Sequence, residues 1–216
     1  MTPRVRVKIC GLTRVADVHA CGEAGADAIG LNCFAGSPRY VPTARLRELA
    51  AATPPFVTPV LLFVNARRDE VLAALAQVPH ALLQFHGDED EAFCASFARP
   101  YIRAVGMARE GALLDCEQAF PSAAALLADT PVAGYGGSGS VFDWSHVPAP
   151  SARSKPLVLA GGLTAENVAA AIATTRPFAV DVSSGVESGI KGVKDPQRIC
   201  RFIAAVRAAT TESQQA

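Results

Sequence analysis

The strongest constraint in this sequence is a repeated alternation of short apolar runs with Ala-, Leu-, Arg- and Glu-rich segments. The runs predict strands at residues 5–10, 28–33, 56–64, 81–85, 101–105, 124–128, 156–160 and 178–182. Brief runs bounded by turn residues and carrying β-branched side chains suit buried strands. The segments between them predict helices at 14–24, 44–52, 68–77, 88–98, 111–120, 164–174 and 196–208. Thr43 is expected to cap the second helix. Asp195 before Pro196 fits the start of the last one, with Asp at the N-cap and Pro at the first helical position. Strict alternation argues a parallel sheet. Eight units argue a closed (β/α)8 TIM barrel, lean beside the typical ~250 residues. The runner-up is an open doubly wound sheet. Against it, Cys10-Gly11-Leu12-Thr13 stands where a Gly-x-Gly-x-x-Gly turn would follow strand 1. Residues 1–216 read as one barrel domain, with a polar tail from about 210.

Composition narrows the partners. The 20 Lys and Arg balance the 20 Asp and Glu and are dispersed, so neither nucleic acid nor an acidic membrane surface is expected. Cysteines stand at 10, 21, 33, 94, 116 and 200 without a Cys-x-x-Cys pair. That supports no zinc knuckle and no dithiol motif, so no metal is expected. Scattered single cysteines point to a reducing compartment. No apolar signal segment follows Met1, and no apolar run approaches ~20 residues. A cytoplasmic protein is expected. With no evident exposed apolar surface a monomer is expected, a homodimer being the alternative.

The chemistry gathers where strands end, because a barrel builds its site from the strand C-termini and the loops after them. Lys8 and Cys10 are two apart on strand 1 and share a face. A cation beside a thiol favours the thiolate, a base or nucleophile; an inert core cysteine is the plainer reading of Cys10 alone. Cys33 should point away from the site if Asn32 points in. The other strand ends contribute Asn32, Gln84, His86, Asp129, Asp181, Ser183 and Ser184, and a loop adds Arg39. Singly, each has a structural explanation: Asp129 and Asp181 as caps, Gln84 and His86 as a polar layer, Arg39 as a solvated charge. Their clustering at one end is left unexplained. Gly161-Gly162 and Ser183-Ser184-Gly185 follow strands 7 and 8, where barrels frequently bind phosphate. Glycines let backbone N–H groups approach an anion. The run Gly136-Gly137-Ser138 after strand 6 could be a lid. The 189–194 stretch reads as flexible. A thiol beside a cation, a carboxylate across the mouth, a phosphate cradle and an anion-gripping Arg suit proton transfer on a phosphorylated small molecule with a second negative charge.

Seven stretches, in order, resemble phosphoribosylanthranilate isomerases. They are Lys8-Ile9-Cys10-Gly11-Leu12-Thr13, Gly25-Ala26-Asp27-Ala28-Ile29-Gly30, Ser37-Pro38-Arg39-Tyr40-Val41, Gln84-Phe85-His86-Gly87, Gly136-Gly137-Ser138-Gly139 with Phe142-Asp143-Trp144, Ala160-Gly161-Gly162-Leu163, and Asp181-Val182-Ser183-Ser184-Gly185-Val186-Glu187. The resemblance implies an Amadori rearrangement in tryptophan biosynthesis, without cofactor or metal. It implies Cys10 as general base, Asp129 as general acid, and Lys8, Asn32, Arg39, Gln84, His86 and Asp181 around the substrate. Within that set it puts the anthranilate carboxylate on Arg39 and the phosphate on Gly161, Gly162, Ser183, Ser184 and Gly185. Where the family commonly has a bulky aromatic and a Lys before Ser-Pro-Arg-Tyr, this chain has Phe34-Ala35-Gly36-Ser37, and a looser loop is expected. The related histidine-pathway isomerase has Asp where Cys10 stands, and no clear twofold repeat is present. A non-catalytic sugar-phosphate-binding barrel is the alternative from another class.

Overall fold

In the computed structural model, which describes residues 4–131 and 141–212, eight parallel strands close into a barrel in chain order. The strands are β1 (Arg6–Cys10), β2 (Ala28–Asn32), β3 (Thr58–Phe63), β4 (Leu82–Phe85), β5 (Tyr101–Gly106), β6 (Ala125–Asp129), β7 (Leu157–Leu159) and β8 (Ala179–Val182). The helices are α1 (Val15–Ala24), α2 (Thr43–Ala51), α3 (Arg68–Gln77), α4 (Glu91–Ala95), α5 (Ala112–Ala119), α6 (Val168–Thr175) and α7 (Pro196–Glu212). The β1–β8 pairing sets Lys8 opposite Asp181 and closes the ring, which excludes the open doubly wound sheet.

Strand periodicity sorts the side chains into two apolar layers. Val7, Ile9, Leu83, Phe85, Leu126 and Val180 belong to the core that the helices cover. Ile102, Ala125, Leu127, Val158 and Ala179 form a separate cluster of the alternate positions, inside the barrel. The same alternation turns Lys8, Cys10, Gln84, Asp129 and Asp181 inward.

Several ends differ from expectation. Thr43 is the first residue of α2, and the position before it is Pro42, with no side-chain cap. Asp90 caps α4, accepting a bond from the Phe93 N–H, so α4 starts later than residues 88–89. The helix after β7 starts at Val168, because Asn167 ties the preceding loop: it accepts from the Thr164 N–H and donates to the Gly162 carbonyl. Asp195 accepts from the N–H groups of Gln197 and Arg198, as its N-cap assignment requires. Helix α7 continues through 210–212, where a polar tail was expected, since its inner face still buries Val206 and Ala209. Phe56 is fully exposed in the turn before β3, an apolar surface the sequence did not suggest. Among the described residues no helix is long and apolar enough to cross a membrane.

Candidate active site

One cavity opens at the C-terminal mouth of the barrel. Cys10, Asn32, Arg39, Gln84, His86, Asp129, Gly161, Gly162, Asp181, Ser183 and Ser184 all line it. The structure therefore brings together most residues singled out from the sequence. Three groups lie elsewhere. Lys8 sits just beneath the cavity. Gly185 packs behind it: a Cβ there would lie 2.1 Å from the Leu163 carbonyl oxygen, so glycine lets the loops after β7 and β8 meet. The lid residues Gly136, Gly137 and Ser138 are outside the described residues.

The β1 side of the floor is a buried charge cluster. Lys8 Nζ lies 3.0 Å from Asp181 Oδ2, with both side chains almost wholly buried. Burial works against the Lys8 ammonium, but the charges of Asp181 and Cys10 outweigh it and its pKa is raised. Burial pushes the Cys10 thiol up, and the pull of Lys8 and Lys194 does not cancel it. This corrects the simple reading of Lys8 as a thiolate-maker: the cation is present, yet desolvation prevails in the free protein. Room for the thiol comes from Gly30, opposite Cys10 on β2. A Cβ on Gly30 would lie 2.7 Å from Cys10 Sγ and 3.2 Å from Lys8 Nζ. Sequence reading passed over Gly30; a lone glycine inside a strand is the signal of close approach by another group.

Across the mouth, His86 Nε2 is 3.3 Å from Asp129 Oδ2, and Asp129 Oδ1 accepts from the Thr130 N–H at 2.8 Å. Gln84 Nε2 lies 3.2 Å from His86 Nδ1. With the amide nitrogen donating, Nδ1 accepts and the ring proton sits on Nε2, facing Asp129. Two buried acceptors, Gln84 Oε1 and Asp181 Oδ1, have no hydrogen-bond partner among the described residues and belong to side chains lining the cavity. Such groups call for a polar ligand or water.

The loop after β2 is tied rather than loose. The Asn32 amide donates to Ser37 Oγ and accepts from the Phe34 N–H, and Ser37 Oγ also accepts from the Arg39 N–H. Asn32 lines the cavity but uses both ends of its amide on this loop. Cys33 points the other way, as alternation requires, and burial raises its pKa to about 12. Arg39 reaches in over Gly11, where a Cβ would lie 2.4 Å from its Cδ. It is not a free cation. Its guanidinium grips Glu187 through two bonds of 2.7 and 2.8 Å. Burial opposes the Glu187 charge, but Arg39, the Gly192 N–H and Lys194 hold its pKa below the usual range.

Glu187 and Lys194 pair as an antiparallel bridge, and the Ser188 N–H bonds the Val193 carbonyl. The 189–194 stretch is thus part of a pinned hairpin, not the flexible segment its glycines suggested. In the loop after β7, Gly161 adopts φ 85°, and a Cβ there would lie 2.4 Å from Thr130 Oγ1 and 3.1 Å from Asp129 Oδ1. The Gly-Gly turn consequently lies directly against the β6 carboxylate. Among the described residues no group of three or more His, Cys, Asp or Glu could hold a metal.

The chain is similar to several known proteins. A family model described as N-(5'-phosphoribosyl)anthranilate isomerase matches residues 7–205. An N-(5'-phosphoribosyl)anthranilate isomerase from Methylibium petroleiphilum is 56% identical, over 95% of each chain. The crystal structure of a phosphoribosyl anthranilate isomerase from Thermotoga maritima superposes with a TM-score of 0.86 at 40% identity, covering 94% of this chain and 99% of that one. Another crystal structure of such an isomerase, in complex with reduced 1-(o-carboxyphenylamino)-1-deoxyribulose 5-phosphate, gives a TM-score of 0.82 at 36% identity, covering 94% and 99%.

Proposed function

Given that the chain belongs to the phosphoribosylanthranilate isomerase family, aldose–ketose isomerases of tryptophan biosynthesis, we propose that Cys10 and Asp129 are its general base and acid. The supporting observation is that these two side chains line one cavity, on β1 and β6, with the glycine-rich turn after β7 and the loop after β8 between them.

Asp129 would protonate the ribose ring oxygen of N-(5-phosphoribosyl)anthranilate and open the ring to a Schiff base. Cys10 would then take the C2 proton. The enolamine so formed tautomerises to 1-(2-carboxyphenylamino)-1-deoxyribulose 5-phosphate. C2 is oxidised and C1 reduced within one molecule, so the balance needs no external oxidant or cofactor. His86 orients Asp129, and Gln84 holds His86. Asp181, paired with Lys8 through Oδ2, presents Oδ1 to the sugar or the bridging amine. The phosphate would lie on the backbone of Gly161, Gly162, Ser183 and Ser184, with Gly185 permitting the loops to meet. Arg39, already aligned by Glu187, would offer its remaining N–H groups to the anthranilate carboxylate.

The chain reads as one domain, and six free cysteines fit a cytoplasmic setting. The direct test is the loss of phosphoribosylanthranilate fluorescence under purified protein. Fast decay supports the reading. Binding of the substrate without decay would return the chain to a sugar-phosphate-binding barrel.

A further inference from the structure

The charges around the β8 side of the cavity do not cancel. Lys8 offsets Asp181, and Arg39 offsets Glu187. Lys194 remains, its side chain entirely buried. Its Nζ has three acceptors: the Ser183 carbonyl at 2.9 Å, Ser183 Oγ at 3.3 Å and Glu187 Oε1 at 3.2 Å. Three acceptors match the three N–H bonds of an ammonium. The nearby Arg14–Asp17 pair is neutral: Asp17 accepts two bonds from the Arg14 guanidinium, and from Lys194 it accepts the backbone N–H.

We infer that Lys194 is a positioning residue for anion binding: from behind the loop it holds Ser183 in place and gives the Arg39–Glu187–Lys194 cluster its net positive charge. The inference rests on the phosphate lying at Ser183 and its neighbours. Without Lys194 the Arg39–Glu187 pair would be neutral, and the backbone N–H groups of the loop would have no net cation behind them against a dianion. A buried cation in a low-dielectric site acts over several ångströms with little screening. Ser183 also links this cluster to the base, because its hydroxyl donates to the Cys10 carbonyl at 3.0 Å.

The experiment titrates inorganic phosphate into the wild type, K194Q, K194R and E187Q by calorimetry, and measures kcat and KM for each. K194Q keeps a donor but loses the charge; phosphate Kd and substrate KM should rise about tenfold or more, with kcat falling far less. K194R, which keeps the charge, should stay within about threefold of wild type in Kd. E187Q removes the compensating anion and should bind phosphate more tightly, which serves as the test if K194Q does not fold. A purely structural role would lower Tm and the active fraction while leaving Kd and KM alone. An unchanged phosphate Kd in folded K194Q, or in E187Q, overturns the inference. Failure of the wild type to bind phosphate would instead overturn the phosphate assignment, and the inference with it.

Discussion

Replacing Gly30 with Ala tests whether the thiol position matters to the chemistry. The added Cβ would lie 2.7 Å from Cys10 Sγ, 3.1 Å from Cys10 Cα and 3.2 Å from Lys8 Nζ. Ordinary contact is about 3.6 Å, so Sγ must retreat by about 0.9 Å. A misplacement near 1 Å costs roughly a hundredfold in rate. Overpacking should destabilise by about 1–3 kcal/mol, and loss of glycine flexibility in the unfolded chain returns about 0.4–1 kcal/mol. The net, from near zero to about 2.6 kcal/mol, corresponds to a fall in Tm of at most about 10 °C for a chain of this size. Folding therefore survives while catalysis does not. The assay is kcat/KM from anthranilate fluorescence, with Tm by circular dichroism alongside. A folded G30A protein within about threefold of wild-type kcat/KM would show that Cys10 need not be where the structure holds it.

Other consequences follow from the same contacts. G161A introduces a side chain at φ 85° with its Cβ 2.4 Å from Thr130 Oγ1 and 2.8 Å from the Thr130 nitrogen; substrate KM should rise about tenfold or more and Tm should fall, since the turn cannot keep its shape. K8M leaves Asp181 buried without its partner, a loss of about 3–5 kcal/mol; Tm should drop, Cys10 alkylation followed by mass spectrometry should slow, and the K8M/D181N double variant should regain much of the Tm. Faster alkylation in K8M would contradict the electrostatic role of Lys8. Because burial raises the Cys10 pKa, kcat/KM should climb with pH from neutrality toward alkaline values. Burial also raises the thiols of Cys21, Cys33 and Cys94, each to about 12 from 9.0, with the opposite effect on stability. Their neutral form is favoured in the fold, so their contribution is complete below pH 9.0, the unfolded value, and is lost as pH rises toward 12. Chemical denaturation from pH 7 to 11 should show that fall, and a flat profile would refute it.

Strand periodicity made the barrel legible: two-residue alternation puts Lys8 with Cys10 and Gln84 with His86, and the strand ends gather Asp129 and Asp181 beside them. Pairing was harder to read. Arg39 and Glu187 are far apart in sequence, and nothing local in either shows that the Arg arrives already bound to a carboxylate. The glycines of the 189–194 stretch mislead for a related reason. They signal turns, and the order of this hairpin comes from distant groups: Asp17 on α1 and the hydroxyl of Thr13, which donates to the Gly192 carbonyl. Gly30 hid in plain sight inside a strand, its purpose visible only once Cys10 stood beside it. The net effect on the thiol was also beyond sequence, because it depends on how completely the site is desolvated, not on the neighbouring cation alone.

Cys10 as base and Asp129 as acid are tested most directly by single-site removal of each. Phosphoribosylanthranilate fluorescence decay under C10A and D129N, at saturating substrate and matched folded concentration, is predicted to slow by about 10²–10⁴-fold in each case. Substrate binding, measured by calorimetry, should stay close to wild type. Turnover by C10A at near wild-type speed would contradict the assignment of the base, and the same result for D129N would contradict the assignment of the acid.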